Sequence, residues 1–314
     1  MRKKQIIFET AGGGEIGYGH ITRCIALAKE ALLRGWEIFF EDTDRYTKSL
    51  IRDVASKTEI SFSAWWDYQQ PDEDQIICRV IDTPDEEHPL LKAWQDDLKF
   101  AVVDKAFSDM AGLATPGIYP IPFICLGKAE EVVPTVVKFV EELDLAGFLG
   151  PATIVADSKY ASRLKHLTED WYETRVLSDL SPEQMAKEMV RCDIAVTKTG
   201  QLLLEAFCLG IGAITIEPTG GHDELHKKQQ EKYGENWPTV CITHNRYHFR
   251  PNDIARMNPL TQVQEAAGTL IAKLENRPEL TCMGYQAKKL VDGRGAERVL
   301  DAIEAEIESK GKTV

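Results

Sequence analysis

The chain has 314 residues, with 37 basic against 50 acidic side chains and a formal net charge of −13 at pH 7. A length of this order corresponds to about two domains, and the acidic balance argues against nonspecific binding to nucleic acid or anionic membranes, which needs a basic footprint. At 43% hydrophobic and 28% charged it has the composition of a globular protein, and no apolar run reaches the roughly 20 residues that cross a bilayer.

The opening MRKKQIIFETAGGG holds only a short apolar stretch between charges. It reads as a strand (5–11) followed by glycines and not as a signal peptide. The next segment places Ile21, Cys24, Ile25, Ala28, Ala31 and Leu32 on one helical stripe, which Gly35 ends. Strands at 36–43, 59–66, 75–83 and 99–106 follow, with helices at 44–57 and 84–98. A Pro/Gly-rich stretch, 115–123, is the expected linker. Alternation then restarts, with strands near 123–127, 152–158, 174–180, 193–199 and 213–219. Helices are expected at 129–145 and 159–169, from Ser181-Pro182, and at 201–209. Helices close the chain at 260–276 and over 281–309. Strands and helices of these lengths in alternation predict two α/β domains, 1–118 and 119–314, each with a parallel sheet, and a ligand in the cleft between them. The seven cysteines are scattered and never form C-x-x-C. That predicts neither a disulfide framework nor a cysteine zinc site, and a reducing cytosol fits.

The sharpest local feature is EIGYGHITRC, residues 15–24. A strand runs into glycines and a helix begins at Gly19 or His20. Gly17 and Gly19 let the backbone approach a ligand, and the free N–H groups of a helix start attract anionic groups. His20 and Arg23, three apart, share one helical face. The helix dipole disfavours imidazolium, which would keep His20 neutral as a general base. The plainer reading is a capping histidine beside a solvated arginine. A second feature is TKTGQLLLEAF (197–207). Helix-start amides near Thr199, Gly200 and Gln201 could hold a phosphate, with Lys198 as counter-charge and Glu205 accepting from a ribose diol; an ordinary αβ unit with exposed charges is the alternative. HDELHKKQ pairs His222 with His226 and HNRYH pairs His244 with His248. The zincin pattern needs Glu directly after the first His, where Asp223 stands, so a solvated charged helix is expected and no metal. The acidic runs 69–75 and 83–88 read as solvated loops, and Trp65-Trp66 as packing residues.

IGYGHITRCIALAKEALLRG resembles the opening motif of the pseudaminic-acid-pathway UDP-sugar hydrolases and the related spore-coat polysaccharide (SpsG-like) proteins. The match falls on Gly17, Gly19, His20, Arg23 and Cys24. VDGRGAERV is similar to the same family's closing motif through Asp292, Gly293, Gly295, Ala296 and Arg298. DIAVTKTGQLLLEAFCLGIGAITIEP stands where that family, like MurG-type glycosyltransferases, binds its nucleotide.

The resemblance implies a GT-B-like α/β fold of two Rossmann-like domains whose C-terminal helix crosses back to the first. It also implies metal-independent cleavage of a nucleotide-activated amino- or deoxy-sugar with no cofactor. Such an enzyme would work beside others of surface-glycan or nonulosonic-acid biosynthesis. His20 would activate water for attack on the anomeric carbon, and Gly17, Gly19, Arg23, Asp292 and Arg298 would hold the sugar side. On the nucleotide side the family's glycine-rich turn becomes Gly127-Lys128-Ala129-Glu130, and its phosphate cradle becomes Lys198-Thr199-Gly200-Gln201-Leu202. Lys128 and Lys198 would there supply charge in place of amide contacts. Two alternatives stand beside hydrolysis: a GT-B glycosyltransferase in which His20 deprotonates an acceptor hydroxyl, and a non-catalytic sugar-nucleotide-binding protein.

Overall fold

The fold is known from a computed structural model, in which the described residues are 4–12, 19–41, 51–52, 76–83, 85–114, 117, 119–126, 133–216, 223–242 and 259–311. The chain forms two compact units, one of Met1–Asp109 with Val291–Val314 and one of Met110–Leu290.

The first unit has a parallel sheet in the order β2-β1-β3, from β1 (Gln5–Thr10), β2 (Glu37–Glu41) and β3 (Ile76–Asp82). Helix α1 (Gly19–Leu33) buries Ile21, Cys24, Ile25, Leu27, Ala28 and Ala31, close to the stripe read from the sequence. It ends where Gly35 takes φ +79°, with Gly35 N–H bonded to the Leu32 carbonyl and Trp36 N–H to that of Ala31. This is the left-handed stop that only a residue lacking Cβ adopts without strain. Two short helices, α2 (Pro89–Lys92) and α3 (Lys105–Ser108), follow β3. The last helix, which becomes α11 below, belongs to this unit and contributes Val299, Leu300 and Ile303 to the core around Ile6, Phe8, Ile25 and Ile38.

A buried ion pair crosses this core. Lys29 Nζ lies 2.6 Å from Asp104 Oδ2, with side chains only 5% and 1% exposed. Removing one partner strands a charge in a low-dielectric interior, which costs about 3–5 kcal/mol. Lys29→Met is therefore expected to lose about that much stability, read from the urea midpoint. Lys29→Met/Asp104→Asn should recover part of the loss.

The second unit is a six-stranded parallel sheet ordered β6-β5-β4-β7-β8-β9. Its strands are β4 (Pro122–Ile124), β5 (Thr153–Val155), β6 (Arg175–Leu177), β7 (Ile194–Thr197), β8 (Gly212–Ile216) and β9 (Thr239–Ile242). Counted within the unit this is the doubly wound order 3-2-1-4-5-6, whose direction of winding reverses between β4 and β7. The connecting helices are α4 (Val133–Leu145), α5 (Ser158–Leu167), α6 (Pro182–Met189), α7 (Gln201–Leu209), α8 (Asp223–Tyr233), α9 (Pro259–Glu275) and α10 (Arg277–Leu290), and α11 (Gly295–Gly311) returns to the first unit. Phe139, Val140 and Leu143 of α4 and Ala266, Ala267 and Leu270 of α9 pack on Ile124, Ile154, Val196 and Ile214 of the sheet. Helix α6 starts on Ser181 with a complete capping box: Ser181 Oγ accepts from Gln184 N–H and Gln184 Oε1 accepts from Ser181 N–H.

Several expectations change. The unit boundary falls at Asp109/Met110, not at 118/119, because Gly112 and Ala114 N–H bond to the Cys208 and Leu209 carbonyls and tie this stretch to the second unit. Its continuation is no free linker: Asp193 accepts from Gly117 and Ile121 N–H, and Pro122 already begins β4. The strand expected at 99–106 is a 3-10 turn (Leu98–Phe100), a buried extended stretch and then α3. Asp97 and Asp104 each accept a backbone N–H two residues on, and such local bonds compete with strand pairing. The helix expected over 281–309 is two helices, parted at Gly293 with φ +81°. Helix 84–98 shrinks to α2 and a 3-10 turn, since Pro89 needs its place in the first turn and His88 caps it. The expected elements at 44–50 and 53–74, including Trp65-Trp66, lie outside the described residues.

Candidate active site

Parallel α/β sheets bind ligands beyond the carboxyl ends of their strands, where the order of winding reverses. In the first unit that point lies between β1 and β3, where Thr10 and Asp82 are register partners. Asp82 ends β3 and is completely buried; His20, second residue of α1, has 24% of its side chain exposed. Their contact, His20 Nδ1 to Asp82 Oδ1, is 2.6 Å. At that distance a proton must lie between the nitrogen and the carboxylate. Nδ1 therefore carries the hydrogen and donates it, and in the neutral ring Nε2 then holds the lone pair as an acceptor or base.

Arg23, one turn on and 8% exposed, is not solvated. Its Nε donates to Asp82 Oδ2 at 3.1 Å and its Nη2 to Asp82 Oδ1 at 2.7 Å, a bidentate clamp. Nη2 also lies 2.8 Å from Glu87 Oε1. Burial opposes the Arg23 charge, but Asp82 and Glu87 more than offset it and its pKa is raised. Arg23 thus spends at least two of its donors on holding Asp82 in place. Cys24 is buried beneath the same carboxylate, and burial with the Asp82 charge pushes its thiol well above the ordinary range, which leaves it inert.

The sequence pattern alone does not mark Asp82 or Glu87 as site residues. Once the sheet is in view, an acidic residue closing a parallel strand is the signal that marks Asp82. The acidic run at Glu87 reads as a solvated loop, but an antiparallel bridge between Asp82 and Glu87 folds it back onto the strand end.

The closing-motif residues sit elsewhere in the same unit. Arg298 Nη1 and Nη2 meet Asp292 at 2.7 and 2.5 Å, and Nη1 also donates to the Lys99 carbonyl at 2.8 Å. The Arg298 partner draws the Asp292 carboxyl below its usual range. These contacts fasten α11 to the 99–101 segment, and none of them reaches His20.

In the second unit the winding reverses between β4 and β7, and the run after β7 holds the other candidate residues. Thr199 is buried and Lys198 half-buried. Gly200 precedes α7 with φ +150°, a backbone conformation essentially reserved for glycine, and a Cβ built there would meet nothing within 4 Å. Glycine at this position offers no side chain to cap the helix start. The positive end of a helix that begins on a glycine suits an anion. Glu205, one turn on and buried, accepts from Gln201 Nε2 at 3.2 Å. Lys198, Thr199, Gly200, Gln201 and Glu205 therefore come together. Gly17, Lys128, His222, His244 and His248 lie outside the described residues, as does the His226 side chain. Among the described residues no three potential ligands cluster as a metal site would require, and no helix is long and apolar enough to cross a membrane.

No protein-family model matches the sequence, and no curated protein is detectably similar to it. Solved structures are. MurG of Acinetobacter baumannii aligns over 96% of this chain and 99% of its own, with a TM-score of 0.55 at 14% identity. A putative UDP-N-acetylglucosamine 2-epimerase from Listeria monocytogenes aligns over 98% of both chains (TM-score 0.56, 11% identity). The UDP-GlcNAc 2-epimerase of Neisseria meningitidis, solved bound to UDP-GlcNAc, aligns over 96% of this chain and all of its own (0.56, 9%). The fold is GT-B-like. At these identities the likeness is one of fold, and it runs from end to end of the chain.

Proposed function

We propose that this chain is an enzyme acting on a nucleotide-activated sugar, and that it transfers the sugar to an acceptor hydroxyl. The observation that carries the reading is the His20–Asp82 pair at the reversal point of the first sheet. A histidine held in one tautomer by a buried carboxylate, with its other nitrogen receiving no hydrogen bond among the described residues, is built to take a proton. Two further observations support it. The second sheet has its own reversal point, with a helix that starts on Gly200 beside Lys198 and a buried Glu205. The chain also shares its fold, end to end, with solved structures whose names include MurG and UDP-GlcNAc 2-epimerases.

In this reading the acceptor oxygen attacks the anomeric carbon as its proton passes to His20 Nε2. The bond from that carbon to the phosphate oxygen breaks, and its electron pair leaves on the diphosphate. On the second unit by itself, Lys198 and the start of α7 at Gly200 suit an anionic group, and Glu205 suits a sugar hydroxyl. The site is metal-independent in this reading, as the sequence resemblance implies.

Hydrolysis uses the same base with water as the nucleophile. The Gly19-His20-Arg23-Cys24 motif favours it, whereas MurG, a glycosyltransferase, favours transfer. The deciding experiment is nucleotide release from UDP-, CMP-, GDP- and dTDP-sugars, run without acceptor and with a panel of sugar and lipid-linked acceptors. Transfer predicts release that rises at least about tenfold with one acceptor and yields a glycosylated product. Full release without acceptor would replace transfer by hydrolysis. Binding without release under any condition would leave a silent sugar-nucleotide-binding protein.

A further inference from the structure

The hydrogen bonds around His20 contain a conflict, and Glu87 resolves it. Arg23 Nη2 carries two protons. One goes to Asp82 Oδ1 at 2.7 Å, and the other points at His20 Nδ1 at 3.2 Å. Nδ1 cannot accept that proton while it donates its own to Asp82 at 2.6 Å. If it accepted, the ring hydrogen would move to Nε2, and His20 would present a donor where a base is needed.

The same Nη2 has a second acceptor within reach. Glu87 Oε1 lies 2.8 Å away, is buried, and among the described residues receives no hydrogen bond. A buried carboxylate oxygen without a donor is costly and calls for an explanation. A small turn of the guanidinium that moves the contested proton from Nδ1 to Oε1 satisfies the orphaned oxygen and frees Nδ1 to donate. The contest between the two acceptors is unequal. A guanidinium–carboxylate bond joins two full charges whereas the bond to a neutral imidazole nitrogen has only one, and at 2.8 Å against 3.2 Å it is also the shorter contact.

We infer that Glu87 is a positioning residue that selects the tautomer of His20: by drawing the second Nη2 proton of Arg23 to itself, it holds His20 as Nδ1–H and keeps Nε2 bare. Arg23 then serves the pair as a bridge between two carboxylates and not as a ligand of the sugar. The inference rests on the proposed role of His20 for its catalytic meaning, but its test needs no substrate.

That test is the imidazole nitrogen spectrum of the full chain labelled at histidine. His20 is assigned by the loss of its signals in His20→Gln, and spectra are taken at a pH where its ring is neutral. The wild type is expected to show His20 as Nδ1–H. In Glu87→Leu, which offers no acceptor, the ratio of the two tautomers should move at least about tenfold toward Nε2–H. Glu87→Gln, which keeps an oxygen but not the charge, should move the ratio in the same direction by a smaller factor. It carries the test alone if Glu87→Leu does not fold, and Glu87→Asp should restore the wild-type spectrum in part. An Nε2–H tautomer in the wild type, or an unchanged ratio in the folded Glu87 variants, would overturn the inference. A protein with the expected tautomers that releases nucleotide from no donor would instead overturn the proposed function and leave this inference standing.

Discussion

His20→Ala is expected to lower turnover on the active donor by roughly 10²–10⁴-fold, the usual worth of a positioned general base. The fold should survive, because the ring is at the edge of the network with 24% of its side chain exposed. Asp82 keeps its bidentate clamp from Arg23 when the ring is gone. Asp82→Asn tests the same chemistry from the other side. An asparagine can turn its NH₂ toward Nδ1, which forces the hydrogen onto Nε2 and removes the base without removing the histidine. A loss of about 10⁴-fold is the precedent for that tautomer trap. Among the described residues this variant also leaves Arg23 with Glu87 as its one remaining carboxylate, so it should cost about 3–5 kcal/mol of stability, as broken buried ion pairs do. Circular dichroism at the assay temperature separates the two effects. Equal loss in kcat and kcat/KM, with donor affinity held, would mark a group that acts in the transition state. Unchanged turnover in a folded His20→Ala would remove the histidine from the mechanism altogether.

How much of this was legible beforehand depended on distance along the chain. The α1 stripe, its stop at Gly35 and the cap at Ser181 are local, since each depends on residues within one or two turns, and the sequence pattern reads them correctly. So is the helix start at Gly200, where a strand, a glycine and an apolar helix follow one another. Asp82 and Glu87 are different. They lie more than 60 positions from His20, and nothing in TPDEEH distinguishes a solvated acidic loop from one folded back onto a buried arginine. Arg23 is legible in part for the same reason: its helical face is visible in the sequence, but its partners are not. The failed strand at 99–106 shows the converse error. VVD has the apolar character of a strand, yet the short-range bonds of Asp97 and Asp104 were enough to bend both ends. Long-range charge pairing and local side-chain capping are the two effects that periodicity does not report.

The closing motif gives the second large effect, on stability. Gly295, the first residue of α11, packs so closely on the preceding core that a Cβ there would stand 2.0 Å from the Ala101 carbonyl oxygen and 2.4 Å from its carbon. The obstacle is backbone on both sides and cannot rotate away. Gly295→Ala must therefore push α11 off the 99–101 segment, which would also strain the Arg298 bonds to Asp292 and the Lys99 carbonyl. A cost of about 3 kcal/mol or more is expected, at the upper end for overpacking. The unfolding transition of the first unit should fall by on the order of 10 °C. Gly268 on α9 supplies the control, because a Cβ there meets nothing within 4 Å and its φ is not positive. Gly268→Ala in that helix is expected to stabilise the protein by about 0.5–1 kcal/mol, through helix propensity and lost chain entropy. Opposite signs at the two glycines would establish that the glycine of VDGRGAERV is required by close packing of the last helix. A neutral Gly295→Ala would mean that α11 can stand off from Ala101 without loss, and the motif's glycine would need another cause.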